Sequence, residues 1–345
     1  MTRRLAWNAV ATAVCCVAAA VLPGVGRVAQ PLSAQQREPG RGADLAGLEV
    51  LQLRPNFYMV VGAGGNIAVQ VGEDGMVVVD AGPVTQADAL AAAIKALSVK
   101  PIRYVIDTSA DPNRVGGNEK IAKAGRTLFI VNNQFGEGLT NGGAAAVLSA
   151  EKVLARMSAP TGQTAPFPAT VWPTETFDGP RKYMFLNGEG IEVLHLPAAH
   201  TDGDSIVFFR RSDIVVAGDI LDTTRFPVID LARGGSVQGE IDALSRLVDL
   251  AIPSVPIVTR EGGTLVIPGH GRICDQFDVV EYRDMVWIIR DRIRAMIGDG
   301  LTLEQVKAAA PTGGFTRRYG SDTGPWTTNM FVEAVYTSLL QERKP

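Results

Sequence analysis

At 345 residues, 46% hydrophobic and 20% charged, the chain carries enough apolar mass for a large core, built as one domain or as two halves. A formal net charge of -3 and a pI near 5.7 give no long-range attraction to nucleic acid or to anionic lipid, so neither is expected as a partner. The composition is neither that of a disordered chain nor that of a membrane-spanning one.

Residues 1–34 read as an export signal. Arg3-Arg4 is a basic start, residues 5–22 are apolar and Ala-rich, and small residues at Ala29 and Ser33-Ala34 offer cleavage points. The alternative is an uncleaved anchor, since the apolar run is nearly long enough to span a bilayer. Cleavage would give a periplasmic or secreted protein with no stable membrane insertion. It would also remove Cys15 and Cys16, leaving Cys274 without an intrachain partner. Residues 35–47, rich in Gln, Gly and Arg, read as a flexible leader.

Two β-rich apolar runs follow, 50–61 and 67–71, separated by the turn residues Gly62 to Gly65. Glu73-Asp74-Gly75 turns the chain into 76–79, a continuous apolar run of the kind found in strands buried on both faces, which ends in Asp80-Ala81-Gly82. Thr85 and Asp88 resemble a capping box ahead of Ala87, Leu90, Ile94 and Leu97 at helical spacing. Asp80 is expected to brace the loop that comes next. That loop, Val105 to Asn118, reads VIDTSADPNRVGGN: a β-branched strand that stops at Asp107-Thr108, passes a Pro and feeds a helix at 119–124. A strand ending this way delivers polar side chains to the edge of a sheet, where sites on open α/β sheets sit.

Beyond it the sequence predicts a strand at 127–131, a Gly/Asn-rich stretch at 132–143, a helix over 144–157 and a long connection at 161–181 carrying Trp172 and Phe177. The second half repeats the logic of the first. Strands are expected at 191–196, 205–209, 214–217 and 265–267; Gly234-Gly235-Ser236 caps a helix bearing Ile241, Leu244 and Val248; and a long helix spans 275–297. A short helix starts at Thr302 and Gln305, 311–324 is irregular, and 329–341 is a terminal helix.

The 105–118 loop resembles the signature of the metallo-β-lactamase superfamily, Thr-His-x-His-x-Asp-His-x-Gly-Gly-Asn, in register from Thr108 to Gly116-Gly117-Asn118. Two of the three histidines also fall on family motifs, His200 in AAHTDGD and His270 in PGHG, while Asp219 in VAGDIL matches the carboxylate that bridges two metals. His195 matches nothing and is expected to be a packed or edge histidine. The resemblance implies a four-layer αβ/βα sandwich over residues 48–297, followed by a short C-terminal helical extension at 298–345.

The frame survives with its ligands changed: Ser109, Asp111, Asn113 and Arg114 stand where the family has His, His, Asp and His. Carried over, the first metal set would be Ser109, Asp111 and His200, and the second Asn113, Arg114 and His270, with Asp219 between them. A guanidinium cannot donate a lone pair, and Asn113 cannot accept a proton from water. Arg114 is therefore expected to replace the second metal, leaving at most one divalent ion (Zn, Mn or Fe), or none, on Asp111, His200, Asp219 and His270. With an ion bound, the resemblance implies hydrolysis of an ester, amide or phosphoester of a small molecule, with Asp111 or Asp219 as base in place of Asn113. Without one, it implies a non-catalytic module using Arg114 and the old groove to hold an anionic ligand.

Overall fold

The computed structural model describes residues 43–45, 47–128, 143–159, 162–254 and 262–342. The expected export signal with Cys15 and Cys16, and most of the expected strand at 127–131 and of the stretch at 132–143, lie outside the described residues. Eight strands form one sheet in sequence order: β1 (Ala43–Leu45), β2 (Leu48–Arg54), β3 (Phe57–Val61), β4 (Ile67–Gly72), β5 (Gly75–Val79), β6 (Ile102–Ile106), β7 (Ala146–Ala150) and β8 (Glu175–Phe177). Pairing is antiparallel from β1 to β5 and parallel from β5 to β8. The second sheet holds β9 (Arg181–Leu186), β10 (Glu189–His195), β11 (Ser205–Phe209), β12 (Ile214–Asp222) and β13 (Leu265–His270), in the order β13-β12-β11-β10-β9.

Side-chain alternation sorts the strands into layers. Phe57, Met59, Val77, Val79, Ile106 and Leu148 of the first sheet face Val193, Val207, Phe209, Val216 and Ile267 of the second. On the outer face of the first sheet, Val69, Met76, Val78 and Val105 pack on Leu90 and Ile94 of α1 (Ala87–Leu97). Two short helices follow, α2 (Pro112–Val115) and α3 (Asn118–Lys123), then α4 (Glu151–Met157). The outer face of the second sheet is covered by α5 (Val237–Leu250) and α6 (Gln276–Gly298). The result is the expected αβ/βα sandwich, and 76–79 is buried on both faces as its unbroken apolar run requires. Beyond α6 come α7 (Leu303–Ala308), α8 (Thr316–Tyr319) and α9 (Thr328–Glu342). They join the same apolar layer, with Phe331 stacked on Phe226 at 4.8 Å between ring centroids. Among the described residues no helix is long and apolar enough to cross a membrane.

Four local expectations are corrected. The segment 144–157 is not one helix but β7 followed by α4, because Ala146–Ala150 fills the parallel slot beside β6, and burial there overrides the helix propensity of an Ala-rich run. Thr85 does not cap α1: it lies inside a 3-10 turn, Val84–Gln86, and no side chain caps the helix that follows. The connection at 161–181 contains a 3-10 turn, Ala169–Val171, and the edge strand β8. The segment at 311–324 contains α8. By contrast, Ser236 accepts from the Gly239 N–H at 2.9 Å, and Thr302 with Gln305 forms a reciprocal capping box.

Candidate functional site

The site gathers where loops leave the strand ends of both sheets. Asp80, just past β5, sits at a φ of 67°, a conformation that costs energy for a residue with a Cβ. Its bonds offset that cost: Oδ1 accepts from the Thr108 N–H at 2.8 Å, and both oxygens accept from Thr108 Oγ1 at 2.9 Å. The expected brace is therefore in place. Burial pushes the Asp80 carboxyl up to about 6, against the opposing pull of the Arg114 charge and the Thr108 N–H. The far end of the loop is tied by Asn118, which donates to Asp107 at 2.8 Å and to the Val171 carbonyl at 2.9 Å. In the second sheet Gly218 takes a φ of 57°, and a Cβ there would lie 2.7 Å from Thr108 Oγ1. The register between β12 and β13 shifts on either side of Gly218, next to Asp219.

Arg114, the largest fully buried side chain, occupies the centre. Its Nε donates to Asp219 Oδ2 at 3.0 Å and its Nη2 to Asp219 Oδ1 at 2.5 Å, a two-point fork, while Nη1 reaches Asp80 Oδ2 at 3.4 Å. Two glycines make room for it. A Cβ on Gly65 would lie 2.8 Å from Nη1, and one on Gly269 would run into Nη2. Burial alone would raise the Asp219 carboxyl, but the guanidinium wins and holds it well below the usual carboxylate range. Ser109 Oγ adds a third donor to Asp219 at 3.2 Å.

Asp111 forms the second pole. Its Oδ2 lies 2.8 Å from His200 Nε2, and its Oδ1 accepts from Arg233 Nη1. His200 Nδ1 donates to the Val228 carbonyl at 2.7 Å. Burial opposes charge on this imidazole, yet the Asp111 bond and the charges of Asp204, Asp219 and Asp111 raise it to about 10, so it is a cation at neutral pH. Burial likewise opposes charge on Asp111, and His200 reverses that, lowering its carboxyl.

The loop, His200 and Asp219 thus converge, with one ligand atom each from Asp111, His200 and Asp219 lying within 4.8 Å of one another. His270 stands beside this group, its Nε2 3.9 Å from Asp219 Oδ1, and burial with the Arg114 charge lowers its pKa from the ordinary 6.5. Asn113 is half-buried near Gly64. The expectation that Arg114 could anchor an anionic ligand is corrected: its side chain is 0% exposed, and its Nε and both terminal nitrogens each donate to Asp219 or Asp80. His195 lies at the end of β10, its Nε2 2.8 Å from the Asp202 carbonyl. Sequence reading missed Arg233 altogether, because it belongs to no motif and reaches Asp111 across 122 residues.

The donor set divides on chemistry. Two carboxylates and an imidazole within 4.8 Å of one another suit a single divalent ion, once the imidazole is neutral. The second set offers a guanidinium already forked onto Asp219 and a neutral amide, and does not suit one. Beside α2, an apolar groove of about 620 Å³ runs between Val84, Pro112, Phe167 and Val171.

An αβ/βα sandwich with acids and histidines on its strand-end loops is the architecture of a hydrolase-like class. The chain belongs to the metallo-beta-lactamase superfamily, whose family model matches residues 60–255. Among solved structures, a double mutant of the sec-alkyl sulfatase PisA1 aligns with a TM-score of 0.58 at 16% identity, over 86% of this chain and 53% of that one. The stereoselective inverting sec-alkylsulfatase Pisa1 from Pseudomonas sp. aligns with a TM-score of 0.56 at 15% identity, with the same shares of 86% and 53%. A metallo-beta-lactamase from Pontibacter korlensis gives 0.49 at 17% identity, over 70% of this chain and 99% of that one. The two alkylsulfatase likenesses show the fold alone, and the chain spans about half the length of those chains, 53%. No curated protein matches the chain.

Proposed function

We propose that this protein is an exported hydrolase of small molecules in which Arg114 takes the place of one metal and a single divalent ion is held by Asp111, His200 and Asp219. The observation that carries the reading is the buried fork of Arg114 on Asp219, at 3.0 and 2.5 Å, which sets a fixed cation against the family's bridging carboxylate. When bound, the ion would supply a Lewis acid and an acidified water. Zn, Mn and Fe suit this mixed oxygen and nitrogen set about equally well.

The chain's own residues set what surrounds that chemistry. Arg114 keeps Asp219 ionised and in place, Asp80 and Thr108 fix the loop that carries Asp111, and His200 is oriented by the Val228 carbonyl. The scissile group is an ester, amide or phosphoester, and the alkylsulfatase likeness adds an alkyl sulfate to the panel.

A second reading, a non-catalytic binding module, is favoured by the pairing of Asp111 and Asp219 with protein cations. Elemental analysis of the full chain purified without chelator, followed by a hydrolysis panel, separates the two. About one ion per chain with turnover of any substrate supports the hydrolase. Two tightly held ions per chain would remove the role given to Arg114, and metal-free protein without turnover would favour the binding module. Cell fractionation tests export, which the basic and apolar run at residues 3–22 supports.

A further inference from the structure

Two arginines bind the two acids of the site, and they differ in freedom. Arg114 is sealed, with a side chain 0% exposed, whereas Arg233 is 30% exposed and sits at the mouth. The Arg233 backbone is firmly built in. It ends a 3-10 turn, Leu231–Arg233, whose preceding Asp230 accepts from the Arg233 N–H at 2.9 Å and from Nε at 2.7 Å. The Arg233 carbonyl accepts from Arg156 Nη2 at 2.7 Å and from the Asp202 N–H at 3.0 Å. The turn is bolted to the His200 loop by the Asp230 N–H, which donates to the His200 carbonyl at 2.9 Å. Gly235 follows where any Cβ would run into that same carbonyl. This framework aims one guanidinium at Asp111 Oδ1 while Oδ2 faces His200.

We propose that Arg233 is an internal competitor for the divalent ion, a removable cation that occupies Asp111 when no ion is there and weakens ion binding when one arrives. The inference rests on the one-ion reading above. A guanidinium cannot shed its proton, so an ion joining Asp111 must either displace Arg233 toward solvent or sit beside its charge. Both routes lower affinity. Arg114, with no path out, leaves only the second course: an ion on Asp219 sits beside its charge in the wild type and in the Arg233 variants alike. An ion held more weakly exchanges more readily, so the occupancy of this site tracks the free metal concentration.

The test is competition of Zn²⁺ or Mn²⁺ between the full chain and a chromophoric chelator at pH 7, for the wild type, Arg233→Met and Arg233→Lys, with melting temperatures to confirm folding. Arg233→Met is expected to bind roughly tenfold more tightly or better, the scale of relieving a like charge near a divalent ion at a partly exposed site, while Arg233→Lys stays near the wild type. Arg233→Gln, which removes the charge but keeps a donor for Asp111, serves if the Met variant does not fold. Equal or weaker binding by the uncharged variants overturns the competitor role and leaves the one-ion site standing. Absence of binding in every variant, at millimolar metal, overturns both.

Discussion

Replacing Arg114 by Met is the sharpest probe of the idea that a guanidinium serves as the central counter-charge. The change keeps most of the volume and removes the charge, leaving Asp219 and Asp80, whose side chains are 12% and 0% exposed, without their shared cation. Breaking a buried pair from one side costs about 3–5 kcal/mol, and at about 2 °C per kcal/mol for a chain of this size the melting temperature should fall by roughly 8 °C at pH 8. The loss should depend on pH with a definite sign. In the wild type Asp219 is depressed below its ordinary 3.8, so its contribution is present above that value and lost as pH falls through the lower folded value. Asp80 is raised to about 6, so its ionisation costs stability as pH rises from about 4 to about 6. Without Arg114 both carboxyls move up, and a proton can take the arginine's place at pH 5 but not at pH 8. The gap between wild type and variant, followed by thermal melts from pH 5 to pH 8, should widen with pH. A gap below about 1 kcal/mol, or one that is flat with pH, would falsify the counter-charge role.

Restoring ligands should reverse the substitution: Asn113→Asp with Arg114→His is expected to raise the metal bound per chain above the wild-type value, and unchanged content by elemental analysis counts against the reading. His200→Gln removes a buried cation whose pKa is raised to about 10 from 6.5. The stability it contributes, on the order of 1–3 kcal/mol, is full below its unfolded pKa and lost as pH rises through its folded one. In metal-free protein the melting temperatures of wild type and variant should therefore converge between pH 6 and pH 10; a constant difference there would mean that His200 is not held as a cation. Gly65→Ala pushes a methyl to 2.8 Å from Arg114 Nη1, which cannot move because Asp219 grips it, so a loss of about 1–3 kcal/mol is expected in urea melts. A neutral result there would show that the guanidinium has slack.

Much of the architecture was legible because burial writes itself into the sequence where a segment has only one environment available. Met76–Val79 has no polar face and can only be an inner strand, and Val279, Tyr282, Val286, Ile289 and Ile293 recur at a spacing that only one face of a helix satisfies. Ala146–Ala150 was misread for the complementary reason. Small apolar residues suit a helix and a buried strand alike, and the choice is made by the open parallel edge of β6, a tertiary fact absent from the local pattern. Thr85 fails in the same way, since Val84–Gln86 forms a 3-10 turn and moves the hydroxyl out of register with the helix start.

The site divides along a similar line. Ser109, Asp111, Asn113 and Arg114 could be found because one short loop fixes their spacing, and Arg114 could be given a cation's task because two nearby acids need one. Arg233 could not, since its place is set by the Asp230 cap, the Arg156 bond to its carbonyl and the abutment of Gly235 on His200, contacts between segments distant in sequence. Yet the electrostatic requirement that exposed Arg114 also called for something like it. Asp111 and Asp219 bring two negative charges within 4.8 Å of each other, and Arg114 donates to Asp219 and Asp80 and not to Asp111. Asp111 must take its own cation, and the structure supplies a buried imidazolium and a half-exposed guanidinium in the space a metal would otherwise claim. The imidazolium must give up its proton before an ion can enter, and the guanidinium, which cannot, must leave Asp111 or stay beside the ion.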